Sequence, residues 1–307
     1  MKILVIKPSS LGDVIHALRV VSVLRKSDQA FEIHWVIRKG LETIVEASGI
    51  ADRHFLFERG GGLLKYLSLA KELRGQKYDF VLDMQGLLRS GLLSLLCGCP
   101  SRYGRADGRE FSTAFYKCIG PKDRKAQIHA IDRLNPFLDP FVKRSKDDRL
   151  MLDFPNSFAS SEIPEKKESS LPRVILFPES RRSEKVWPYF RQLAGMLIDA
   201  KMAEVIVCGT QVDEEYDGTC DLRGRLNLAE LADALKNAAL IISNDSAPLH
   251  LASALGRPVL GLFGPTEPLR YGPYPQDDKA GVTISSPDGK MGEIKVLRVL
   301  VQVREMI

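Results

Sequence analysis

One short polar stretch near the amino terminus carries a residue that could act as a general base. Asp13 follows Ser10 and Gly12 soon after the apolar residues 3–6, so we expect it at the first strand–helix turn. Gly12 permits a tight turn or the close approach of a ligand. A carboxylate here could take a proton from an acceptor hydroxyl group. An ordinary helix-initiating aspartate would occupy the same position, and the spacing alone does not separate the two interpretations.

A second stretch, residues 243–266, predicts a binding site for a phosphorylated ligand. Asp245 and Ser246 are good N-cap residues for a helix that follows a buried strand. The amides of Ser246 and Ala247 are the better phosphate donors, because the helix dipole favours anions and the Asp245 carboxylate would repel them. Asp245 is instead expected to cap its helix or to accept hydrogen bonds from sugar hydroxyls. His250 could reach a phosphate or pack under the sheet.

A basic loop, residues 179–188, follows another apolar strand and includes Ser180, Arg181 and Lys185. Arginine can clamp phosphate oxygens bidentately, whereas lysine acts as a point charge. A solvated loop is the usual meaning of such a run. Its position directly after a buried strand favours a role in binding.

Alternating apolar strands and helices would place these three stretches at the edges of parallel sheets. Strands that are buried on both faces form continuous apolar runs, and strand–helix alternation favours right-handed crossovers. Ligands bind at the carboxyl edges of such sheets. We therefore predict an α/β protein with two Rossmann-like, doubly wound domains that face each other across a cleft. Residues 100–125 remain unassigned, and a short helix is predicted near Asp213.

Composition predicts the domain boundaries. Residues 1–155 form the predicted N-terminal domain, which closes with a helix at about 127–138. Residues 156–172 are rich in Ser, Glu and Lys and contain two prolines, which is typical of a linker. A C-terminal domain at 173–290 is followed by an amphipathic helix at 291–307. This helix could pack back on the N-terminal domain.

Length and missing motifs exclude several classes of protein. The 307 residues suffice for two domains, and no apolar run approaches the roughly 18 residues of a membrane span. There is no G-x-G-x-x-G after the first strand, no P-loop, no D-x-D and no His/Cys cluster, so we expect neither a cofactor nor a metal. The five cysteines lack zinc-like spacing and are typical of reduced cytosolic thiols.

Charge is distributed unevenly along the chain. Residues 1–150 contain 26 Lys and Arg against 17 Asp and Glu, whereas the remainder contains 18 against 22. This asymmetry favours an anionic partner or an anionic membrane surface for the first half, although random surface variation would also produce it.

The motifs taken together resemble the glycosyltransferase family 9 heptosyltransferases, which use ADP-heptose to build the inner core of lipopolysaccharide. S-S-L-G-D-V-I-H-A-L occupies residues 9–18, and N-D-S-A-P-L-H-L-A-S-A-L-G-R-P occupies residues 244–258. D-M-Q-G-L-L-R-S (83–90) and K-V-W-P (185–188) also occur in the expected order. The resemblance covers nearly the whole chain, and the combination is more specific than any single motif.

This resemblance implies the GT-B fold and an inverting transfer that needs no metal. Asp13 matches the family's proposed general base, and Lys185 matches a residue that contacts the donor diphosphate. A carboxylate that holds the adenosine ribose falls at Glu214 or Glu215. The donor loop and its helix correspond to Asp245, Ser246, Ala247 and His250.

The resemblance looks closer to heptosyltransferase I, which acts on Kdo-lipid A, than to heptosyltransferase II. Arg109 looks like an acceptor-phosphate residue of that branch, and Ser10, Gly12 and Gln85 complete the expected acceptor site. The implied partners are ADP-heptose, an anionic lipid A/Kdo acceptor and the surface of the inner membrane, with no nucleic acid. The implied location is cytoplasmic, peripheral at the inner membrane.

Two other functions fit the same architecture. Non-hydrolysing nucleotide-sugar epimerases share two facing Rossmann-like domains and would act without an acceptor. A non-catalytic nucleotide-sugar-binding protein would bind the ADP-sugar but transfer nothing. Asp13 and Lys185 argue against the second alternative.

Overall fold

The computed structural model describes residues 1–27, 30–143, 150–165, 171–212, 214–276 and 279–307. It divides into two compact units, Met1–Leu150 and Met151–Ile307. Each unit is built around one six-stranded sheet in the described part of the chain, and the strand pairs are parallel. The predicted α/β class is therefore confirmed.

The first unit alternates strands and helices from its first residues onward. Its strands are β1 (Lys2–Ile6), β2 (Glu32–Arg38), β3 (Arg53–Phe57), β4 (Phe80–Asp83), β5 (Arg102–Arg105) and β6 (Lys117–Ile119). Its helices are α1 (Leu11–Arg25), α2 (Glu42–Ser48), α3 (Gly62–Gly75), α4 (Leu88–Leu96) and α5 (Ala130–Leu134). The sheet order is β3-β2-β1-β4-β5-β6.

Strand β1 lies in the core of the first unit. Leu4 and Ile6 are buried and cluster with Val36, Val81 and Leu93 from the neighbouring strands and α4. Helix α1 is buried over most of its surface rather than along one stripe, as expected for a helix covered on several sides. The first strand–helix turn is therefore rigidly placed.

The second unit repeats the pattern. Its strands are β7 (Arg173–Phe177), β8 (Glu204–Val207), β9 (Cys220–Asp221), β10 (Leu240–Asn244), β11 (Val259–Phe263) and β12 (Gly281–Ser285). Its helices are α6 (Phe190–Asp199), α7 (Leu228–Lys236), α8 (Ala247–Ala254), α9 (Pro268–Tyr271) and α10 (Val296–Met306). The sheet order is β12-β11-β10-β7-β8-β9.

Helix α10 packs into the core of the second unit. Its buried residues Val299 and Val303 belong to the same cluster as Trp187 and Leu197. The Trp187 ring nitrogen donates a 2.7 Å hydrogen bond to the carbonyl of Ile294, just before the helix begins. The C-terminal segment therefore completes this core.

The observed boundary lies at residue 150, ahead of the predicted linker at 156–172. The Leu152 amide donates to the carbonyl of Ala254, and the Lys236 ammonium donates to the carbonyl of Phe154. These bonds fix the segment that precedes the predicted linker to the second unit.

Several elements differ from the sequence-based expectation. The unassigned residues 100–125 contain β5 and β6, two strands too short to show periodicity. The helix predicted at 127–138 is shorter, because Pro136 lacks an amide hydrogen and the chain continues as a 3-10 turn, Asn135–Leu138. Asp213, where a short helix was predicted, lies outside the described residues.

Among the described residues, no helix combines the length and hydropathy required to span a membrane.

Candidate functional site

Both sheets contain a topological switch point at their centre. Relative to the chain order within each unit, both follow the 3-2-1-4-5-6 order of a doubly wound fold. Crossovers leave the two central strands in opposite directions, which opens a crevice outside their carboxyl ends. The central strands are β1 and β4 in the first unit and β7 and β10 in the second. The residues that follow these strands are therefore the candidate sites.

In the first unit, strand register brings four charged positions to one edge. Ile6 pairs with Asp83, and Asp83 pairs with Gly104 in the next strand. Lys7 directly follows Ile6, and Arg105 directly follows Gly104 two strands away. Both residues therefore lie at the same edge of the sheet as Asp83. The first turn of α1 adds Asp13 to the same edge, as the electrostatic interaction between Asp13 and Lys7 requires.

Asp13 is held by the residue that begins its helix. Its carboxylate accepts hydrogen bonds from the Ser10 hydroxyl at 2.6 Å and from the Ser10 amide at 3.2 Å. Ser10 is the N-cap of α1, and Gly12 is buried in its first turn. The same carboxylate thus caps the helix and points to the edge of the sheet, so both interpretations of Asp13 are compatible with this geometry.

The charge on Asp13 is stabilised by Lys7. Burial alone would raise the pKa of Asp13, but the Lys7 charge and the Ser10 hydrogen bonds hold it below its ordinary value. Burial lowers the pKa of the Lys7 ammonium, and the Asp13 charge opposes that effect. Asp13 is therefore ionised at neutral pH, as a general base must be.

Asp83 is a second buried carboxylate at this edge. It accepts hydrogen bonds of 3.0 Å from the amides of Gln85 and Gly86 and one of 2.9 Å from the Ser90 hydroxyl. Burial nevertheless raises the pKa of Asp83 to about 6. These bonds fix the turn into α4 and hence the position of Gln85.

The loop after β5 lies against that turn. The Arg109 amide donates a 2.8 Å hydrogen bond to the carbonyl of Gly86, while the Arg109 side chain is exposed. Arg105 forms a bidentate pair with Asp107, with distances of 2.8 and 2.7 Å. The structure thus brings the predicted acceptor residues into two neighbouring groups, Ser10 and Gly12 beside Asp13 and Gln85 beside Arg109.

In the second unit, the basic loop meets the second motif. The Lys185 ammonium lies 2.6 Å from the Asp245 carboxylate, and the Thr266 hydroxyl donates to the same oxygen at 2.7 Å. His250 is buried with a ring nitrogen 3.9 Å from the other Asp245 oxygen. Lysine and histidine therefore share one carboxylate at the switch point.

The predicted phosphate amides lie at the start of α8. Ser246 is its N-cap in an extended conformation, and Ala247 and Pro248 are its first residues. Pro248 has no amide hydrogen, so the donors at this end come from Ser246 and Ala247. The helix is mostly buried and has eight residues, which keeps its N-terminus fixed beside Lys185 and Asp245.

Two buried contacts shape the loop after β7. The Asn244 side chain accepts a 3.0 Å hydrogen bond from the Trp187 amide and donates one of 3.0 Å to the carbonyl of Pro178. Glu179 accepts hydrogen bonds from the Thr210 hydroxyl at 2.7 Å and the Gln211 amide at 3.1 Å. The loop is therefore anchored at both ends and tied to the turn after β8.

The other predicted donor residues lie in the loops after β7 and β8. Ser180 is partly exposed and Arg181 is exposed, both in the loop between the two anchors. Glu214 accepts a 3.0 Å hydrogen bond from the Tyr216 hydroxyl, and Glu215 is exposed, both in the turn after β8. These four residues border the same sheet edge without a described contact to the Lys185–Asp245 pair.

Sequence reasoning missed several residues that shape these sites. The omitted residues are Lys7, Asp83, Arg105, Asp107, Glu179, Asn244 and Thr266. A usable signal existed for two of them, because Lys7 and Asp83 end apolar strands. The partners of the others depend on strand register, which a single sequence does not supply.

Comparison with known proteins bears on this geometry. A family model described as glycosyltransferase family 9 (heptosyltransferase) matches residues 66–295. The chain belongs to glycosyltransferase family 9. A relative from Campylobacter coli, lipopolysaccharide heptosyltransferase 1, is 26% identical, with 88% of this chain and 86% of that protein covered. This family 9 enzyme is therefore a glycosyltransferase.

Solved structures agree with the fold of this family 9 enzyme. The E. coli heptosyltransferase WaaC with ADP has a TM-score of 0.81 at 21% identity, with all of both chains covered. WaaC with ADP-2-deoxy-2-fluoro heptose has a TM-score of 0.78 at 21% identity, with 99% of each chain covered. The similarity confirms the predicted GT-B fold class.

Within the described part of this family 9 enzyme, no group of three or more His, Cys, Asp or Glu residues is placed to hold a metal ion. The cationic group beside Asp245 is the Lys185 ammonium.

Proposed function

We propose that this enzyme transfers heptose from ADP-heptose to a Kdo or heptose acceptor of the lipopolysaccharide inner core. The proposal rests on the charged residues that lie at the two switch points. One contains the ionised Asp13 carboxylate beside a buried lysine, and the other contains Lys185 at a helix N-terminus. A general base and an anion site are the two parts that a glycosyl transfer from a nucleotide sugar requires.

The donor diphosphate would bind in the second unit. Lys185 and the amides of Ser246 and Ala247 supply positive charge, and Asp245 holds Lys185 in place at 2.6 Å. Ser180 and Arg181 border this site, and Glu214 or Glu215 would hold the ribose. Relatives of the same fold have been solved with ADP and with an ADP-heptose analogue, which supports the choice of nucleotide.

Asp13 would act on the acceptor hydroxyl. It takes the proton as the hydroxyl oxygen forms a bond to the anomeric carbon of the heptose. The bond from that carbon to the diphosphate oxygen breaks at the same time, and ADP leaves with both electrons from the opposite face. The configuration at the anomeric carbon is inverted.

Positive charge in the second unit would replace a metal in this step. Lys185 and the α8 amides are already oriented, so they stabilise the leaving diphosphate without reorganising. We therefore propose a metal-independent transfer. Ser10, Gly12, Gln85 and Arg109 would contact the acceptor, with Arg109 on an acceptor phosphate.

A binding screen tests the donor. Purified enzyme is titrated calorimetrically with ADP-, GDP- and UDP-sugars, and we expect binding of ADP-heptose only. De-acylated Kdo-lipid A is then added, and the product is followed by mass spectrometry and by NMR at the anomeric carbon. A heptose adduct of inverted configuration supports the proposal, whereas preferential binding of UDP-sugars would overturn the heptose assignment.

Chelation tests the metal independence. The transfer rate should stay unchanged in excess EDTA, since Lys185 and the helix amides carry the charge. A rate that falls on chelation and returns with Mg²⁺ would show that a metal takes part.

A further inference from the structure

The N-terminal half of α3 exposes leucines that the fold does not need. Leu63 is 71% exposed, Leu64 is 84% exposed and Leu67 is 46% exposed. Leu64 precedes the buried Leu73 by nine residues, which places it about half a turn from the core-facing side of the helix at roughly 100° per residue. Leu64 therefore points away from the sheet, and all three leucines expose a large part of their side chains to solvent.

An exposed phenylalanine extends this apolar surface. Phe111 is 88% exposed and has a φ of 61°, in the left-handed region that bulky residues rarely adopt. Its backbone conformation is thus unfavourable, and its ring gains no burial in return. Leu88, at the start of α4, adds a further side chain that is 43% exposed.

Hydrogen bonds join these segments into one surface. The Tyr66 hydroxyl donates to the carbonyl of Arg89 at 2.7 Å, and the Arg89 guanidinium donates to the carbonyl of Arg59 at 3.2 Å. The Leu88 amide donates to Glu110 at 3.3 Å. We call residues 59–71, 88–89 and 109–111 the α3–α4 face.

Basic residues lie among the apolar ones on the α3–α4 face, whose one acidic residue is Glu110. They are Arg59, Lys65, Lys71, Arg89 and Arg109, all exposed. The adjacent Glu58 pairs with Lys65 at 2.5 Å, and Glu110 accepts the Leu88 amide. Exposed leucine and phenylalanine combined with exposed Lys and Arg is the composition of interfacial membrane anchors.

We propose that the α3–α4 face docks this enzyme on an anionic lipid bilayer. The choice of a membrane rests on the proposed function, whose acceptor carries a lipid. A stable dimer buries about 800 Å² per partner from 20 to 30 residues, which is more than five apolar side chains provide. The net positive charge of the face also disfavours pairing with a second copy of itself.

Docking in this way would bring the acceptor side of the enzyme to the lipid. Arg109 belongs to the α3–α4 face, and its amide donates a hydrogen bond to Gly86, next to Gln85. The proposed acceptor residues would therefore lie at the bilayer surface, where the sugar of a lipid-linked acceptor begins.

Vesicle sedimentation tests the proposal. Full-length enzyme is mixed with phosphatidylcholine vesicles with and without about 30% phosphatidylglycerol, a charge density at which basic residues bind measurably. The double variant L63Q/L64Q removes two apolar anchors and is expected to lower partitioning about tenfold or more. The matched control is L297Q, because Leu297 is 62% exposed on α10 in the second unit. L297Q should bind like the wild type.

The outcomes separate this proposal from the proposed function. Wild-type binding that requires phosphatidylglycerol, weakens with salt and is lost in L63Q/L64Q supports the docking face. Absence of wild-type binding, or equal loss in L297Q, overturns it. A change of oligomeric state in L63Q/L64Q by analytical ultracentrifugation would assign the face to a second copy instead.

Transfer assays complete the test. L63Q/L64Q should transfer heptose to the water-soluble, de-acylated acceptor at the wild-type rate but more slowly to acceptor embedded in vesicles. If no acceptor is glycosylated while vesicle binding persists, the proposed function fails and the docking face stands.

Discussion

Asp13 both caps helix α1 and carries a charge that the Lys7 ammonium stabilises. Its carboxylate accepts hydrogen bonds from the Ser10 hydroxyl and amide at the start of α1. The same carboxylate retains a negative charge beside the Lys7 ammonium. A capping carboxylate does not need a buried lysine. The presence of Lys7, which costs burial energy, is therefore better explained by chemistry at the carboxylate than by helix capping.

Replacing Asp13 with asparagine separates the two tasks. Asp13→Asn keeps an oxygen that accepts from Ser10 but removes the proposed base, so we expect transfer to fall about a hundredfold or more with ADP-heptose binding unchanged. Glu230→Gln is the matched control, because Glu230 is the corresponding capping residue of α7 and accepts the Asn227 amide at 2.8 Å. Near wild-type transfer by Asp13→Asn in a steady-state assay would rule Asp13 out as the base.

The Lys7 charge should be visible in the pH dependence of the reaction. Lys7→Met removes the charge that holds the pKa of Asp13 down, so the pKa rises and the base becomes protonated at a higher pH. The acid limb of the kcat/KM profile should move to higher pH, with a larger loss of rate at pH 5 than at pH 8. Lys2→Met, at the other end of β1, should leave the limb in place. An unmoved limb in Lys7→Met would contradict the coupling.

Asp83 should make stability depend on pH in the opposite sense to a salt-bridged carboxylate. Burial raises its pKa from 3.8 to about 6, so folding favours the protonated form. The resulting contribution to the free energy of unfolding is present below about pH 4 and is lost as the pH rises through 6. Relative to Asp83→Asn, the wild type should lose on the order of 3 kcal/mol between these limits in urea titrations. Parallel curves for the two proteins would refute the assignment.

At the scale of elements, the turn after β8 depends on a glycine. Gly209 has a φ of 156°, and a Cβ added there would collide with the Glu179 carboxylate. Gly209→Ala should therefore cost about 1–3 kcal/mol of unfolding free energy. Gly195→Ala, within α6 and with nothing within 4 Å of the added carbon, should instead stabilise by about 0.5–1 kcal/mol. Urea unfolding of both variants checks the contrast, which equal effects would contradict.

Long elements were predictable from the sequence, and short ones were not. The apolar residues 3–6 predicted the strand β1 (Lys2–Ile6), and the amphipathic residues 291–307 predicted the helix α10 (Val296–Met306). Strands β5 and β6 have four and three residues and remained unassigned, because the pairing of β5 with β4 and of β6 with β5 is a long-range choice that local pattern does not encode.

For the candidate site, the sequence predicted the residue types at the sheet edges but not their contacts. Asp245 and Lys185 were placed at sheet edges by their strands, yet their 2.6 Å pair joins residues that are 60 positions apart in the sequence. The network of Lys7, Asp83 and Arg105 depends on the register of three strands. Residue types were therefore readable from the sequence, whereas their partners required the fold.

For the whole molecule, both units have the same strand order, but the carboxyl edges of their two sheets carry different residues. The first sheet has a buried lysine among carboxylates, and the second has a lysine at a helix N-terminus. The first half of the chain is also the basic half. This division agrees with the proposed assignment of the acceptor to the first unit and the donor to the second.

The two bonds of Asn244 have a consequence for protein engineering. Because they fix Pro178 and Trp187, the positions between them can be varied without moving the ends of the loop. Arg181 and Arg182 are exposed there, so substitutions at these positions leave the core intact. Residues 180–184 therefore form a natural cassette for randomised libraries, in which a donor other than the proposed one could be selected while the rest of the scaffold is kept.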